Sequence, residues 1–578
     1  MKLLRLSALF LLLTLLPTPS AKAFWSSGSG HYGLRGSTET APAFQKNTGT
    51  FQAIEQSFLL TGEARVNDQL STFLELRLFE DLRRAYLGNV GQPADCAGRP
   101  GATVSEQCAN QHQSTGEPGY RPYSPNITKA YVRYAFDYCI LEAGRRGRQW
   151  GLGMLLDDGT RPFAQQISAF DGVTCNVNIQ KSQTLGFSLG YDKLAETGSP
   201  VDPNWNNYPG QAAGTGNAPA TAGRTFGAYD PYDDLDQYFF TIEYDDRKAN
   251  AGATFTKQVG VYFAQILGKP YKTQYVMTDP NNPTTGSQLK EIGGDATDLK
   301  FLDLYTGFYL GDLALRNEVL FRMGKSMDPN WLYLGGSYGV AQPVTNNLDS
   351  VAVAGDFEWT IAHSGAPVGP IEFNKGDMTR HLVFFNYAYA PGNEEGYRTF
   401  DTAPTVAGLD PSVASKLTKS SRSNNVKAIQ FHRNFKPALL LFNAQPNSDT
   451  LIVDGAFNPS RFVNATLFAT GYRYESMENG NFEVKLLTAN LNEGVPTEIQ
   501  QYYTAIKDSA VDTGSRPAGF YGRSLGWELD LSYTFKFGRD AEIGASLATA
   551  LPGKAWQTRT DTKPTTDFLL QSMAVFHF

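Results

Sequence analysis

The residues best suited to do chemistry in this chain are a run of guanidiniums, Arg145, Arg146 and Arg148, with Lys129, Arg133 and Glu142 nearby. Arginine presents a rigid fork of donors that matches carboxylate or phosphate oxygens, so such a concentration points to an anionic or polyhydroxylated solute. No catalytic constellation competes with it. The six histidines, His31, His112, His363, His381, His432 and His577, are scattered, and none lies within a Ser/His/acid motif. Asp157-Asp158 reads as a solvated turn. No glycine-rich phosphate loop follows a strand and opens a helix. Four cysteines are present, and with no histidine near either pair at ligand spacing, neither a metal nor another cofactor is expected. Cys96 and Cys108 lie close together in a Gly/Pro-rich stretch, where a loop-stapling bridge is the simple reading. Cys139 and Cys175 fall on different predicted strands, and their connectivity stays open.

The elements that carry these residues alternate with period two. From Trp527 to Phe537, Trp527, Leu529, Leu531, Tyr533, Phe535 and Phe537 share one face, and Glu528, Asp530, Ser532, Thr534 and Lys536 share the other. A helix would not sort them so. The same sorting recurs at Thr72 to Phe79, where Glu75 and Arg77 oppose leucines. It recurs at Lys129 to Phe136, where Lys129, Tyr131 and Arg133 oppose Ala130, Val132, Tyr134 and Phe136, and at Leu313 to Arg322, where Arg316, Glu318 and Arg322 oppose Leu313, Leu315, Val319 and Phe321. The segments are separated by connections that are alternately short (66–68, 136–138, 310–312, 537–540) and long (80–126, 195–235, 268–296), the rhythm of a transmembrane β-barrel with short periplasmic turns and long outer loops. A further long stretch, 392–425, is not assigned to a side.

Residues 1–23 read as a cleaved signal peptide: Lys2 and Arg5 precede a leucine-rich run, and Ala21-Lys22-Ala23 follows Pro17. The run is too short to span a bilayer. Residues 24–578 are then one all-β domain, a single antiparallel barrel of about 18 strands, within a range of 16 to 20. Mean hydropathy is negative, as it is in a barrel whose apolar residues occupy alternate positions only. The 29 tyrosines, 37 phenylalanines and 56 glycines suit aromatic girdles and turns. The formal charge is -7 and becomes -10 once Lys2, Arg5 and Lys22 leave with the leader. No basic stripe for nucleic acid is present, no repeat of propeller length recurs, and no plug-sized segment precedes the first strand. The final segment, Asp567 to Phe578, alternates cleanly and ends on an aromatic, which resembles the recognition signal read by the outer-membrane assembly machinery.

Placing the polar face inward lines the lumen with Glu63, Arg65, Glu75, Arg77, Lys129, Arg133, Glu142, Arg146, Arg148, Arg316, Glu318, Arg322, Glu358, Glu528, Asp530 and Lys536. On the lipid face a mid-bilayer Arg or Lys would cost about 2 to 4 kcal/mol. Opposite charges on neighbouring strands will pair, but Arg146 and Arg148 accumulate beyond what Glu142 can neutralise. The expected protein is a non-enzymatic bacterial outer-membrane porin in contact with membrane lipid. It would conduct small hydrophilic, anionic or polyhydroxylated solutes by passive or substrate-selective diffusion. A barrel lipase or protease, and less so a secreted soluble β protein, are the alternatives, because a triad is set by geometry rather than by sequence order.

Two stretches resemble the alginate-export family of outer-membrane barrels. The first contains Ala130-Tyr131-Val132, Arg148-Gln149-Trp150-Gly151-Leu152-Gly153 and Ala169-Phe170-Asp171-Gly172-Val173. The second contains Leu525-Gly526-Trp527-Glu528-Leu529-Asp530 and Leu551-Pro552-Gly553. The resemblance implies an outer-membrane pore for an acidic saccharide. In place of the family's Gly-Asp after the Arg-Gln pair, this chain has Asp157-Asp158-Gly159 further on.

Overall fold

The computed structural model describes residues 25–578 apart from 79–125, 196–234, 278–286, 291–296, 327–345, 365–378, 394–402, 419–424, 443–461 and shorter stretches within other connections. The leader and the Cys96 and Cys108 pair lie outside the described residues, as does most of each long loop named above.

Eighteen strands make the wall: β1 Trp25–Glu39, β2 Phe51–Arg65, β3 Leu70–Leu78, β4 Asn126–Ala135, β5 Ile140–Gly147, β6 Ala169–Asn178, β7 Leu185–Ala195, β8 Leu235–Asp245 and β9 Phe255–Gly268, then β10 Thr297–Leu310, β11 Leu313–Ser326, β12 Ser350–Ser364, β13 Thr379–Ala390, β14 Ala465–Ser476, β15 Gly480–Leu491, β16 Ser524–Phe537, β17 Ala541–Pro552 and β18 Asp567–His577. Each pairs antiparallel with its sequence neighbours. The sheet closes where β1 meets β18, from His31 opposite His577 to Glu39 opposite Leu569. Closure leaves no unpaired edge, the condition for a sheet to sit in hydrocarbon. A two-residue strand, Asn346–Asn347, caps the end of β11, and a small hairpin (Gln274–Met277 with Ser287–Lys290) stands outside the wall. No helix among the described residues is long and apolar enough to cross a membrane.

The alternation sorts as the sequence requires. Exposed outward residues include Leu60, Leu74, Val132, Val173, Leu189, Ile242, Leu315, Phe357, Leu486, Leu529, Leu547 and Leu570. Aromatics gather towards both rims of this belt, with Phe136, Tyr138, Trp359, Phe537 and Phe578 at the end bearing the tight turns and Tyr191, Tyr238, Trp527 and Phe568 at the end bearing the loops. A closed barrel girdled this way is built for the bacterial outer membrane.

Two points left open by the sequence are resolved. Residues 392–425 follow β13 and precede β14, so they belong to the loop end. Cys139, in the turn after β4, is disulfide-bonded to Cys175 on β6, with Cα atoms 5.7 Å apart. Leu141 on β5 lies opposite Cys175 in register, so the bridge staples the β5–β6 hairpin near the turn end.

Candidate pore constriction

A barrel of this strand number encloses more width than wall side chains alone can fill. Here two loop segments enter the lumen. The first, residues 148–164, leaves the wall after β5 and crosses the bore. Trp150 packs on Tyr262 of β9, with ring centroids 5.6 Å apart, over Gly260. The Leu152 amide donates to Glu318 of β11. The chain then returns: Asp158 meets Lys129 of β4 at 3.3 Å, and the Gly159 carbonyl accepts from Arg77 of β3. Phe163 ends against the seam, beside Gly33 of β1 and Met573 and Val575 of β18. It is a strap across the barrel.

The second segment, residues 426–442, is clamped at both ends by wall charges. Arg322 donates to the carbonyls of Val426 (3.1 Å) and Ala428 (2.8 Å). Glu528 accepts from the amides of Leu439, Leu440 and Leu441 at 2.7, 2.8 and 2.8 Å. Phe431, between the clamps, and Phe442, just past the second, pack against Phe462, with centroids 5.0 and 4.9 Å from it. They meet a wall whose inward positions in the loop-end half are small or aliphatic: Ala352, Ala354, Ala388, Ala390, Ala469, Ala489, Ala548 and Ala550 are all buried in this one core. Each buried ring contributes roughly 1.5–3 kcal/mol, so apolar contact dominates the seating of this segment.

The strap is held in two ways: Trp150, Met154 and Leu156 of its near limb are buried in the same apolar core as the filler, whereas its far limb, residues 157–164, is held by polar ties and by one latch. Phe163 has φ 60°, a left-handed conformation that a bulky side chain rarely adopts. That backbone costs about 1–2 kcal/mol, which offsets much of the roughly 1.5–3 kcal/mol that burying a phenyl ring contributes. The guanidinium carbon of Arg35 lies 4.6 Å from the centre of the same ring.

Strap and filler touch where the Met154 carbonyl accepts from the His432 amide and where Asn434 donates to Asp157 at 2.7 Å. Asp157 is therefore a buried tie, a correction to its reading as a solvated turn. Burial pushes its carboxyl up, but the Asn434 hydrogen bond, the Arg161 guanidinium, the Gly159 amide and His432 together hold it below the usual carboxylate range. A lowered folded value means the stabilisation is present above the ordinary carboxylate pKa and is lost as pH falls through the folded one. Amide exchange across 156–160, corrected for its intrinsic pH dependence, should therefore accelerate on acidification below about pH 4. In D157N the corrected exchange should lose that dependence, and a wild-type-like acid profile in D157N would refute the tie.

The arginine pair sits where the strap leaves the wall. Arg146 and Arg148 both reach Asp192 of β7, at 2.9 and 2.7 Å, and Gln237 of β8 joins them at 3.3 Å. The expectation that these charges accumulate uncompensated is thus corrected, because Asp192 lies two strands away and no local spacing announces it. One carboxylate still serves two guanidiniums. Arg146 Nε and Arg148 Nη1 are buried without a hydrogen-bond partner among the described residues. Arg148 also lies against Phe239 and Phe170, 3.6 and 5.0 Å from the ring centres. Arg145 points to the outer face and pairs with Asp171 at 2.8 Å.

The remaining site residues divide by height. Lys129 and Arg77 share Glu75 at 3.0 and 3.3 Å, all three buried. Arg133 stands exposed opposite Glu142, which accepts from Asn176. Glu318, Arg322 and Glu528, expected as pore lining, are instead enclosed by the segments they clamp. Backbone amides and carbonyls displace water from them, which alternation cannot foretell. Asp530 is also buried and pairs with Lys485 at 2.9 Å. Arg316 faces the turn-end half and opens a chain of ion pairs: Asp356 (2.7 Å) and Glu358 (3.1 Å), then Arg473 with Glu358 (3.2 Å) and Glu483 (2.7 Å), then Glu475 with Arg380 (2.7 Å). Of these partners only Glu358 was expected, although the rest follow the same inward parity. Each such half-exposed pair contributes about 0–1 kcal/mol. Their joint effect is a wall of fixed, alternating charge.

No family model and no curated protein matches the chain. Among solved structures, the Pseudomonas aeruginosa OccK2 (OpdF) structure matches with 11% identity and TM-score 0.41, covering 96% of this chain and 99% of that one. A BenF-like porin from Pseudomonas fluorescens Pf-5 gives 10%, 0.41, 96% and 98%. Pseudomonas aeruginosa OpdK with vanillate gives 10%, 0.40, 96% and 98%. Likeness this distant bears on neither solute nor mechanism.

Proposed function

We propose that the protein is an outer-membrane channel for small hydrophilic solutes, with a preference for anionic or polyhydroxylated ones, and that the Arg146 and Arg148 cluster is its selecting site. The observation that supports this most is the sharing of Asp192 by two guanidiniums that keep unpartnered N–H groups. Two guanidiniums on one carboxylate leave a net positive field that would draw an anionic oxygen to this side of the bore, with Arg148 the more exposed of the pair. Phe170 and Phe239 beside Arg148 add apolar faces for a solute's carbon skeleton. The three guanidiniums of the turn-end network face four carboxylates, so the opposite wall carries slight negative charge. A polar solute would be oriented by that transverse field. Within this class the alginate-export resemblance favours acidic sugars, and the mixed-sign wall favours small ones over a polyanion.

Reconstitution in planar bilayers tests the reading. Stepwise conductance is expected, and replacing Arg146 and Arg148 together with Ala should move the reversal potential in a salt gradient towards cations. An unchanged potential would remove the pair from the conduction path. A sealed barrel with hydrolytic turnover would overturn the channel itself.

A further inference from the structure

The strap's far limb and the filler are seated by different forces, and that difference assigns them different roles. The filler is fixed by rings buried against an alanine-lined wall. The strap's far limb, residues 157–164, rests on the Lys129, Arg77 and Asn434 contacts and on Phe163. Gly159 (φ 67°) lies within this limb and provides a flexible point that other residues would resist, beyond Met154 and Leu156, which stay buried in the filler's core. At its end, Phe163 is buried but backbone-strained, so its seating is close to balance. Strain retained at a docking point, rather than relieved, is characteristic of elements that change position.

We propose that residues 157–164 are the channel's gate, flexing at Gly159 and latched by insertion of the Phe163 ring beside Gly33 at the β1–β18 seam. The latch site exists because position 33 has no side chain. A Cβ there would lie 2.8 Å from the Phe163 ring, and Arg35, two residues along, presents its guanidinium to the same ring. The proposal rests on the channel reading for its consequence but not for its structural content.

The decisive variant lies off the gate. G33V should evict the ring without altering a residue of the strap. G36A, on the same strand, is the matched control, because a Cβ at Gly36 meets only Ser572 Oγ, at 3.3 Å. Retention of the heat-resistant folded band on gels establishes an intact barrel in each case. In G33V the ratio of open to closed dwell times should rise about tenfold, and hydrogen exchange across 157–164 should accelerate by a similar factor. F163G should reproduce both effects, and G36A neither. Folded G33V and F163G with wild-type dwell times and exchange would overturn the gate. Accelerated exchange in G33V, with no conductance in any of the proteins, would uphold the latch and overturn the channel reading instead.

Discussion

Replacing Asp192 with Asn is expected to destabilise the folded barrel by roughly 3–5 kcal/mol, because it strands two buried guanidiniums without their shared counter-charge. The amide preserves the shape of the side chain and one acceptor, so the loss is electrostatic rather than steric. Arg146 and Arg148 would then repel one another beside aromatic walls that water does not reach well. Two readouts follow. The midpoint of thermal or urea unfolding in detergent should fall, and the reversal potential of whatever channel remains should move towards anions. The second shift is opposite in sign to that of the arginine replacements. Equal stability and equal selectivity in D192N would show that the carboxylate is not what holds the pair.

The second large effect is expected from Phe442→Ala. The ring is fully buried and meets Phe462 at 4.9 Å, with Leu440 and Leu441 buried beside it. Truncation leaves a cavity and costs about 3–5 kcal/mol when the surroundings cannot collapse. A sheet hydrogen-bonded all the way round cannot move inward, so the cost should fall on the filler itself. Its amides should lose exchange protection, while those of β12 to β15 keep theirs. Conductance should rise at the same time, because the bore loses its packing. A uniform loss of protection across wall and filler would mean that the two unfold as one unit and that the segment is part of the barrel's core.

How much of this the sequence discloses depends on the range of the interaction. Alternation is a property of neighbours in the chain, so the faces of Trp527 to Phe537 and Leu313 to Arg322 can be read directly. The disulfide partner of Cys139 and the carboxylate serving Arg146 depend on register between strands, which no single strand encodes. The strap is still less legible. Residues 148–164 carry the glycines and aspartates of an ordinary surface connection, and only the pairing of Trp150 with a glycine at 260 betrays an inward course. The filler left one trace that could have been used. On β12, β13, β15 and β17 the inward positions change from charged or polar to alanine towards the loop end, and an aqueous channel has no need of alanine. Where the wall residues turn small and apolar, something else has to occupy the space.

The seam has a consequence for how the molecule comes into being. The pairing of β1 with β18 joins residues more than five hundred positions apart, as in the hydrogen bond between Thr40 and Asp567, separated by 527 residues. Every other wall contact can form as successive hairpins zip together, but this one has to wait for both terminal segments. Loop-closure entropy makes it the slowest pairing to find. Until it forms, the wall is an open ribbon with two adhesive borders, and Phe163 has only half of its docking site. Zippering and gating thus converge on one line of the cylinder, where the last stitch of assembly also completes the first moving part.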